Sequence, residues 1–407
     1  MRRGGEVGLG GKSLPLSDVR VLDLSSLLAG PMASMYLADF GADVVKIEDP
    51  EQGDGLRHWG LQKDGFALMS KLVNRNKRCI TLNLRRPEGQ ELARRLSERS
   101  NVVVENFRPG TLERWGLGFD VLRAANPRLV MARITGYGQS GPYADRPGFG
   151  TLGEALSGFA ARNGPSGGPP TLASFGLGDT STALLAAFGV MVALHHAQRS
   201  GEGQYLDLSL YDALVTLLGS HVVDFDQLGF DPGRTGSGLP FAAPRNAYQT
   251  SDGEWVVIAG STQRSFERIA EALGLEELRH DARFATNGDR LTHVAELDEE
   301  IQAAVGRLTF SEVMRRLGDA EAPASPVFDV SDLLSDPHMK ARGATVVVPD
   351  DDTGPLRMQS VVPKLSDSPG SVRWAGPAAG AHNREVYIDE LGLDESELES
   401  LSARGVI

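Results

Sequence analysis

Asp179 is the side chain in this sequence best placed to do chemistry. Gly176 and Gly178 flank Leu177 just before it, and from 183 to 194 the chain is apolar on every face, broken only by Gly189. That run predicts a helix over 175–200, buried all round, with Gly201 as its stop. Asp179 then falls at the N-cap, where a carboxylate meets orphan backbone N–H groups and the helix dipole favours the anion. Two chemistries fit this placement. In one, Asp179 is a cap and nothing more. In the other, an ionised carboxylate is exposed where two glycine backbones admit a ligand, and it serves as a nucleophile. The local sequence leaves both open.

The elements that would position it alternate between strand and helix. Strands are expected at 19–24 (VRVLDL), 43–48 (DVVKIE), 78–84 (RCITLNL), 101–105 (NVVVE), 129–135 (LVMARIT) and 204–210 (QYLDLSL). Helices are expected from Gly30-Pro31 to about Phe40, over 87–99, and as short pieces at 111–117 and 121–125. This order predicts an α/β fold with a mostly parallel sheet covered on both faces. Its ligand loops leave the carboxyl ends of the strands, at 25–29, 49–59, 106–110 and 136–147. Residues 162–178 form a Gly- and Pro-rich approach to the buried helix. A second such stretch at 229–244 marks a domain border, followed by a smaller α+β unit with a strand at 253–260 and helices at 263–273, 297–305 and 309–320. Paired strands are expected at 344–349 and 356–363, and an acidic helical stretch over 383–402.

Bulk properties narrow the class. A chain of 407 residues exceeds one core and implies two or three domains. One cysteine, Cys79, leaves no internal disulfide and no multi-cysteine metal site; no metal is expected, and a reducing cytoplasm is. A net charge of −13 argues against a nucleic-acid partner, while a few arginines can still shape a pocket for an anionic ligand. No uninterrupted apolar run reaches bilayer length, so no membrane partner is expected. The opening MRRGGEVGLGGKS has no apolar segment of a secretory signal, and 1–15 is expected to be a flexible leader. No G-x-G-x-x-G follows the first strand, which disfavours a nicotinamide dehydrogenase.

Six segments taken together, VLDLSSLLAGPMASMYLADFGADVVKIE, NRNKRCITLNL, VVVENFRPGTLERWGLG, ITGYGQSGPYADRPG, LGDTSTALLAAFGVMVAL and GEGQYLDLSLYDA, resemble the class III coenzyme A transferases, which include formyl-CoA transferase and carnitine CoA-transferase. The resemblance runs from about Leu16 to Ile407. It implies that Asp179 is the catalytic nucleophile of a CoA-transferase acting on an acyl-CoA and a carboxylic acid, with coenzyme A a substrate and no permanently bound cofactor. It also implies a Rossmann-like large domain built from both chain ends (16–215 and 335–407), an inserted smaller domain (225–325), linkers at 216–224 and 326–334, and an interlocked homodimer. By the same resemblance, Leu28 and Ala29 border the thioester, and Leu82, Asn83, Leu84 and Arg85 pass the nucleotide. Asn106, Phe107 and Arg108 form a contact loop, and Arg114 meets phosphate. Thr135, Gly136, Tyr137 and Gly138 follow the fifth strand, with Tyr137 near the reacting centre.

Each of these residues also has a plainer reading. Taken alone, Arg85 and Arg114 read as solvated charges, Phe107 as core packing, Tyr137 as a turn residue and Cys79 as an inert small hydrophobe. The chain departs from formyl-CoA transferase, which has Gln at the position of Leu28, Lys at Thr135 and Arg at Asp49. Formyl or oxalyl chemistry is therefore not expected, and the apolar Leu28 suits a bulkier acyl group. The sister 2-methylacyl-CoA racemases need a His base where this chain has Phe149, which disfavours racemisation. A non-catalytic CoA-binding protein is the remaining alternative. The chemistry asks for a carboxylate that forms a mixed anhydride, a dry pocket, and oxyanion donors, for which the backbone N–H groups of 176–180 are candidates.

Overall fold

The computed structural model describes residues 13–407. The chain divides into two units. One is built from the chain up to Phe159, Ala173–Gly219 and Lys340–Ile407, the other from Ala160–Leu172 and Ser220–Met339.

Six short, Val- and Ile-rich segments form the sheet of the first unit: β1 (Arg20–Asp23), β2 (Asp43–Glu48), β3 (Lys77–Thr81), β4 (Val102–Glu105), β5 (Val130–Thr135) and β6 (Tyr205–Ser209). All neighbours run parallel, in the order β3-β2-β1-β4-β5-β6. That is the doubly wound Rossmann order, in which ligands bind where the order reverses, between β1 and β4. Helix α1 (Ala29–Asp39) follows β1, and α2 (Pro87–Glu98) crosses from β3 to β4 with Pro87 at its first turn. The short α3 (Gly150–Leu156) precedes the long α4 (Leu177–Ser200), and Gly201 ends α4 at φ +80°.

Helix α4 is not buried all round. Ala183, Ala186, Val190, Ala193 and Ala197 pack inward, in one core with Ala29, Ala33 and Ala38 of α1. Leu184, Phe188 and Val192 recur every four residues on another side and stand open, Phe188 at 66%. The all-apolar composition hid this division. By length and composition this 24-residue helix is also long and apolar enough to cross a bilayer, and its inner stripe lies in the protein core.

The C-terminal segment covers the exposed edge of β3, where unpaired backbone groups would otherwise invite another strand. His382 Nδ1 and Asn383 Oδ1 accept from the N–H groups of Cys79 and Thr81, at 3.2 and 2.9 Å, and Tyr387 donates to Thr81 O at 2.7 Å. Burial pushes the Cys79 thiol up to about 12, which leaves it inert at neutral pH. The helical stretch expected over 383–402 is two pieces, Glu385–Glu390 and Glu395–Ala403, divided at Gly392 with φ +76°.

The second unit holds a three-stranded antiparallel sheet (Arg245–Gln249, Trp255–Ala259, Ala324–Pro326) with the helices Gln263–Leu273, Val294–Val305 and Phe310–Asp319. It also takes in 160–172, which the sequence grouped with the large domain. Arg234 holds that segment by donating to Gly168 O and Ala161 O at 2.9 and 3.1 Å. The span 326–334, read as a linker, overlaps the short helix Val330–Ser335, capped by Asp329. Of the leader expected over 1–15, residues 1–12 lie outside the described residues, and Leu14 is buried.

Candidate active site

Asp179 lies in the first turn of α4 and is not its cap. The cap position is Gly176, and no side chain makes a capping bond there. The carboxylate is fitted between glycines: a Cβ on Gly150 would lie 2.1 Å from Asp179 Oδ2, and one on Gly176 would lie 3.6 Å from it. The same Cβ on Gly176 would fall 2.8 Å from Leu28 Cδ2, so Leu28 walls the space beside Asp179. Gly178 approaches Gly150 just as closely, with a Cβ 2.5 Å from Gly150 O. Only glycine permits these contacts.

The electrostatics depart from expectation. The helix N-terminus was expected to keep Asp179 firmly ionised. Burial instead pushes its carboxyl up to about 6, the negative charge of Glu154 adds to the rise, and its own backbone N–H opposes both without offsetting them. The expected oxyanion donors are also largely committed. The N–H groups of Leu177 and Thr180 donate to Phe175 O and Gly176 O, at 2.7 and 2.9 Å, and that of Gly178 points at Glu154 Oε1 at 3.5 Å.

Glu154 was missed by sequence reasoning. It is 2% exposed on α3, and its Oε2 accepts from Ala173 N at 3.0 Å. One signal was available: Glu154 is the only ionisable side chain between Arg146 and Arg162.

The loop after β1 is held from both sides of the switch point. Asn106 Oδ1 accepts from Ser26 N at 2.8 Å while its Nδ2 donates to Ser26 O at 2.7 Å, so this side chain ties the β4 loop to the β1 loop. Both ends of its amide are engaged by the backbone of Ser26. Leu27 adopts φ +63°, uncommon for leucine, and its N–H is fixed by Asp54 Oδ1 at 2.9 Å. Asp54 is in turn paired with the buried Lys46 at 3.1 Å. Ala29 is buried at the start of α1.

The remaining sequence candidates divide into two groups. Leu82 and Leu84 are buried in the core, and the half-buried Asn83 gives its N–H to Val406 O. Phe107 stacks edge-on against Trp115 at 5.2 Å. Arg85 is open but pairs with Asp49 at 2.9 Å, an acid where formyl-CoA transferase has an arginine. Thr135 Oγ1 accepts from Gly138 N, and Gly136 meets Gly148 so closely that a Cβ would fall 2.5 Å from its Cα. Tyr137 packs on Tyr143, which carries Arg146 on its other contact. By contrast, Arg108 and Arg114 are exposed beside the β4 loop with no ion pair to any described residue. Phe149, in the place of a racemase base, is 61% exposed.

A cavity of about 890 Å³ opens elsewhere, at the amino end of β2 between Asp43, Arg78, His382 and Glu390. Arg78, one of its two arginines, is already paired with Asp43, Glu385 and Glu390.

Comparison with known proteins identifies the family. The model of CoA-transferase family III matches residues 16–383. The chain is 46% identical to succinyl-CoA–D-citramalate CoA-transferase of Chloroflexus aurantiacus over 394 residues, covering 97% of this chain and 98% of that one. It is 34% identical to succinate–glutarate CoA-transferase of Agrobacterium fabrum, covering 92% and 95%. Among solved structures, a CaiB/BaiF family protein from Brucella suis superposes with a TM-score of 0.82 at 32% identity, covering 93% of this chain and 100% of that one. The Rossmann strand order, the glycine-framed Asp179 and these near full-length matches converge: the chain belongs to CoA-transferase family III and is a CoA-transferase, exchanging CoA between a thioester and a carboxylic acid.

Proposed function

We propose that the protein moves CoA from succinyl-CoA to a second dicarboxylic acid, with Asp179 carrying the acyl group and then the CoA. The observation that carries this reading is a carboxylate with its acidity weakened by burial, framed by glycines and beside an apolar wall. The dicarboxylic class is drawn from the named relatives, whose acids are succinate, citramalate and glutarate.

An Asp179 oxygen attacks the thioester carbonyl, the C–S bond breaks, and CoA departs as a thiolate, leaving a mixed anhydride between Asp179 and the donor acyl group. The thiolate attacks the Asp179 carbonyl, the donor acid leaves as its carboxylate, and Asp179 holds CoA as a thioester. The acceptor carboxylate displaces the thiolate to form a second anhydride. Attack of the thiolate on the acceptor carbonyl then regenerates Asp179. Over the full cycle one thioester C–S bond is broken and one is formed with every acyl carbon at the same oxidation level, so the exchange needs no oxidant or reductant. Dryness matters because water would hydrolyse either anhydride. The test is to mix the enzyme with succinyl-CoA, trap with hydroxylamine, and map the hydroxamate by mass spectrometry. A hydroxamate at a residue other than Asp179 overturns the reading.

Arg108 and Arg114 are assigned to the CoA phosphates, since both are open and unpaired with any described carboxylate. The double variant Arg108→Gln/Arg114→Gln is expected to raise KM for the CoA thioester by roughly tenfold to a hundredfold. Its kcat should stay within about twofold of wild type. An unchanged KM removes both residues from the CoA path.

The open stripe of Leu184, Phe188 and Val192 is assigned to pairing with a second copy, as the resemblance implies. Sedimentation velocity should give a dimer for the wild type and a smaller species for Phe188→Asp. A wild-type monomer would reject the pairing.

A further inference from the structure

Glu154 is a buried carboxylate that the exchange of acyl groups and CoA does not use. It is 2% exposed, and no Lys, Arg or His among the described residues forms an ion pair with it. An unpaired buried charge is costly, so its retention asks for a reason. Its partners are backbone N–H groups at the two ends of the turn that leads into the nucleophile: Ala173 N at 3.0 Å and Gly178 N at 3.5 Å. The helix that carries it is pressed into place on two sides. A Cβ on Gly153 would lie 2.5 Å from Leu210 O, and one on Gly178 would lie 2.5 Å from Gly150 O. Glu154 and Asp179 are therefore parts of one closely packed piece.

We infer that Glu154 is a positioning residue for the reaction, which fixes the Ala173–Gly178 turn beneath Asp179 and sets a buried negative charge against the ionised form of that nucleophile. The inference rests on the Asp179 reading above.

Asp179 carries a full negative charge as a free carboxylate and none as an anhydride or a thioester. Repulsion from Glu154 therefore burdens the resting enzyme and is released on acylation, which favours the acylated states. Of the elements packed around Asp179, α3 brings Glu154, the β1 loop brings the apolar Leu28, and the first turn of α4 brings backbone N–H groups. Glu154 is the charged side chain acting on Asp179, and it acts in the same direction as burial. The upward push on Asp179 agrees with this geometry. It also predicts an acid limb in kcat/KM near pH 6, below which Asp179 is protonated and cannot attack.

Glu154→Gln keeps the shape, one acceptor oxygen and most of the packing while removing the charge. The expected result is an acid limb moved to lower pH. At fixed succinyl-CoA and CoA, the fraction of enzyme trapped by hydroxylamine should fall at least threefold. Glu154→Asp keeps the charge with a shorter reach, so its acid limb should stay near that of wild type while kcat falls. A purely structural Glu154 would lower kcat in both variants and leave the acid limb of Glu154→Gln unmoved, which overturns the inference. If Glu154→Gln does not fold, the carboxyl carbon of Asp179 is followed by 13C NMR in the wild-type enzyme. Titration in the ordinary aspartate range then overturns the inference, and titration near pH 6 supports it. Absence of any trapped adduct in the wild type strikes the Asp179 reading itself, whereas wild-type trapping with an unmoved acid limb strikes only the role of Glu154.

Discussion

Asp179→Asn lowers CoA transfer by about 10³-fold or more while leaving CoA binding intact, because the amide keeps the shape and loses the nucleophile. Hydroxylamine trapping with succinyl-CoA should then yield no adduct. The same substitution should stabilise the fold at neutral pH. Burial lifts the carboxyl from the ordinary 3.8 to about 6, so the folded state binds the proton more tightly than the unfolded chain. For a group shifted upward, stability is fully present below the unfolded value near 3.8. It is lost as pH rises through the folded value near 6. Above that point the wild type carries a penalty of about 3 kcal/mol, which the neutral Asn does not. Melting curves at pH 7.5 should place Asp179→Asn above wild type, and that gain should vanish at pH 3.5. A variant that turns over at the wild-type rate removes Asp179 from the chemistry. A variant less stable than wild type at pH 7.5 would show instead that the ionised carboxylate is well accommodated.

The sequence made the sheet legible because its strands are short apolar runs separated by strong breaks, such as Gly41, which ends α1 at φ +102°. It made Asp179 a candidate because glycines next to an acid at a helix start are a local pattern, while the choice between cap and nucleophile came only from the six-segment resemblance. What it could not carry was partnership across distance. Glu154 acts through N–H groups 19 and 24 residues away, and nothing in its own neighbourhood specifies them. Asn106 was singled out, but its partner Ser26 lies 80 residues earlier, at the strand-order reversal, so its place was visible and its task was not. Arg85 looked like a free cation until the fold set Asp49 beside it. Helix α4 failed for a different reason: a run that is apolar on every side carries no record of which side faces its neighbours.

Gly150→Ala provides the sharpest geometric test, because it adds one methyl group and changes nothing else. Gly150 does not sit at positive φ, so alanine meets no backbone strain there. The added Cβ would lie 2.1 Å from Asp179 Oδ2 and 3.0 Å from Asp179 N. The oxygen must move by at least about 1 Å to restore ordinary contact, and the backbone nitrogen confines where it can go. Misplacing a reacting atom by that distance costs roughly 10²-fold in rate. Gly150→Ala is therefore expected to fold, to bind CoA with an unchanged Kd, and to lose about 10²-fold in kcat. The acceptor and donor acids should be affected alike, since both pass through the same oxygen. Gly65→Ala is a poor control, because that glycine needs φ +85°; Gly318→Ala, with open space and no positive φ, is a sound one and should leave kcat unchanged. A Gly150→Ala enzyme with wild-type kcat would mean that the reactive carboxylate does not occupy the glycine-framed position.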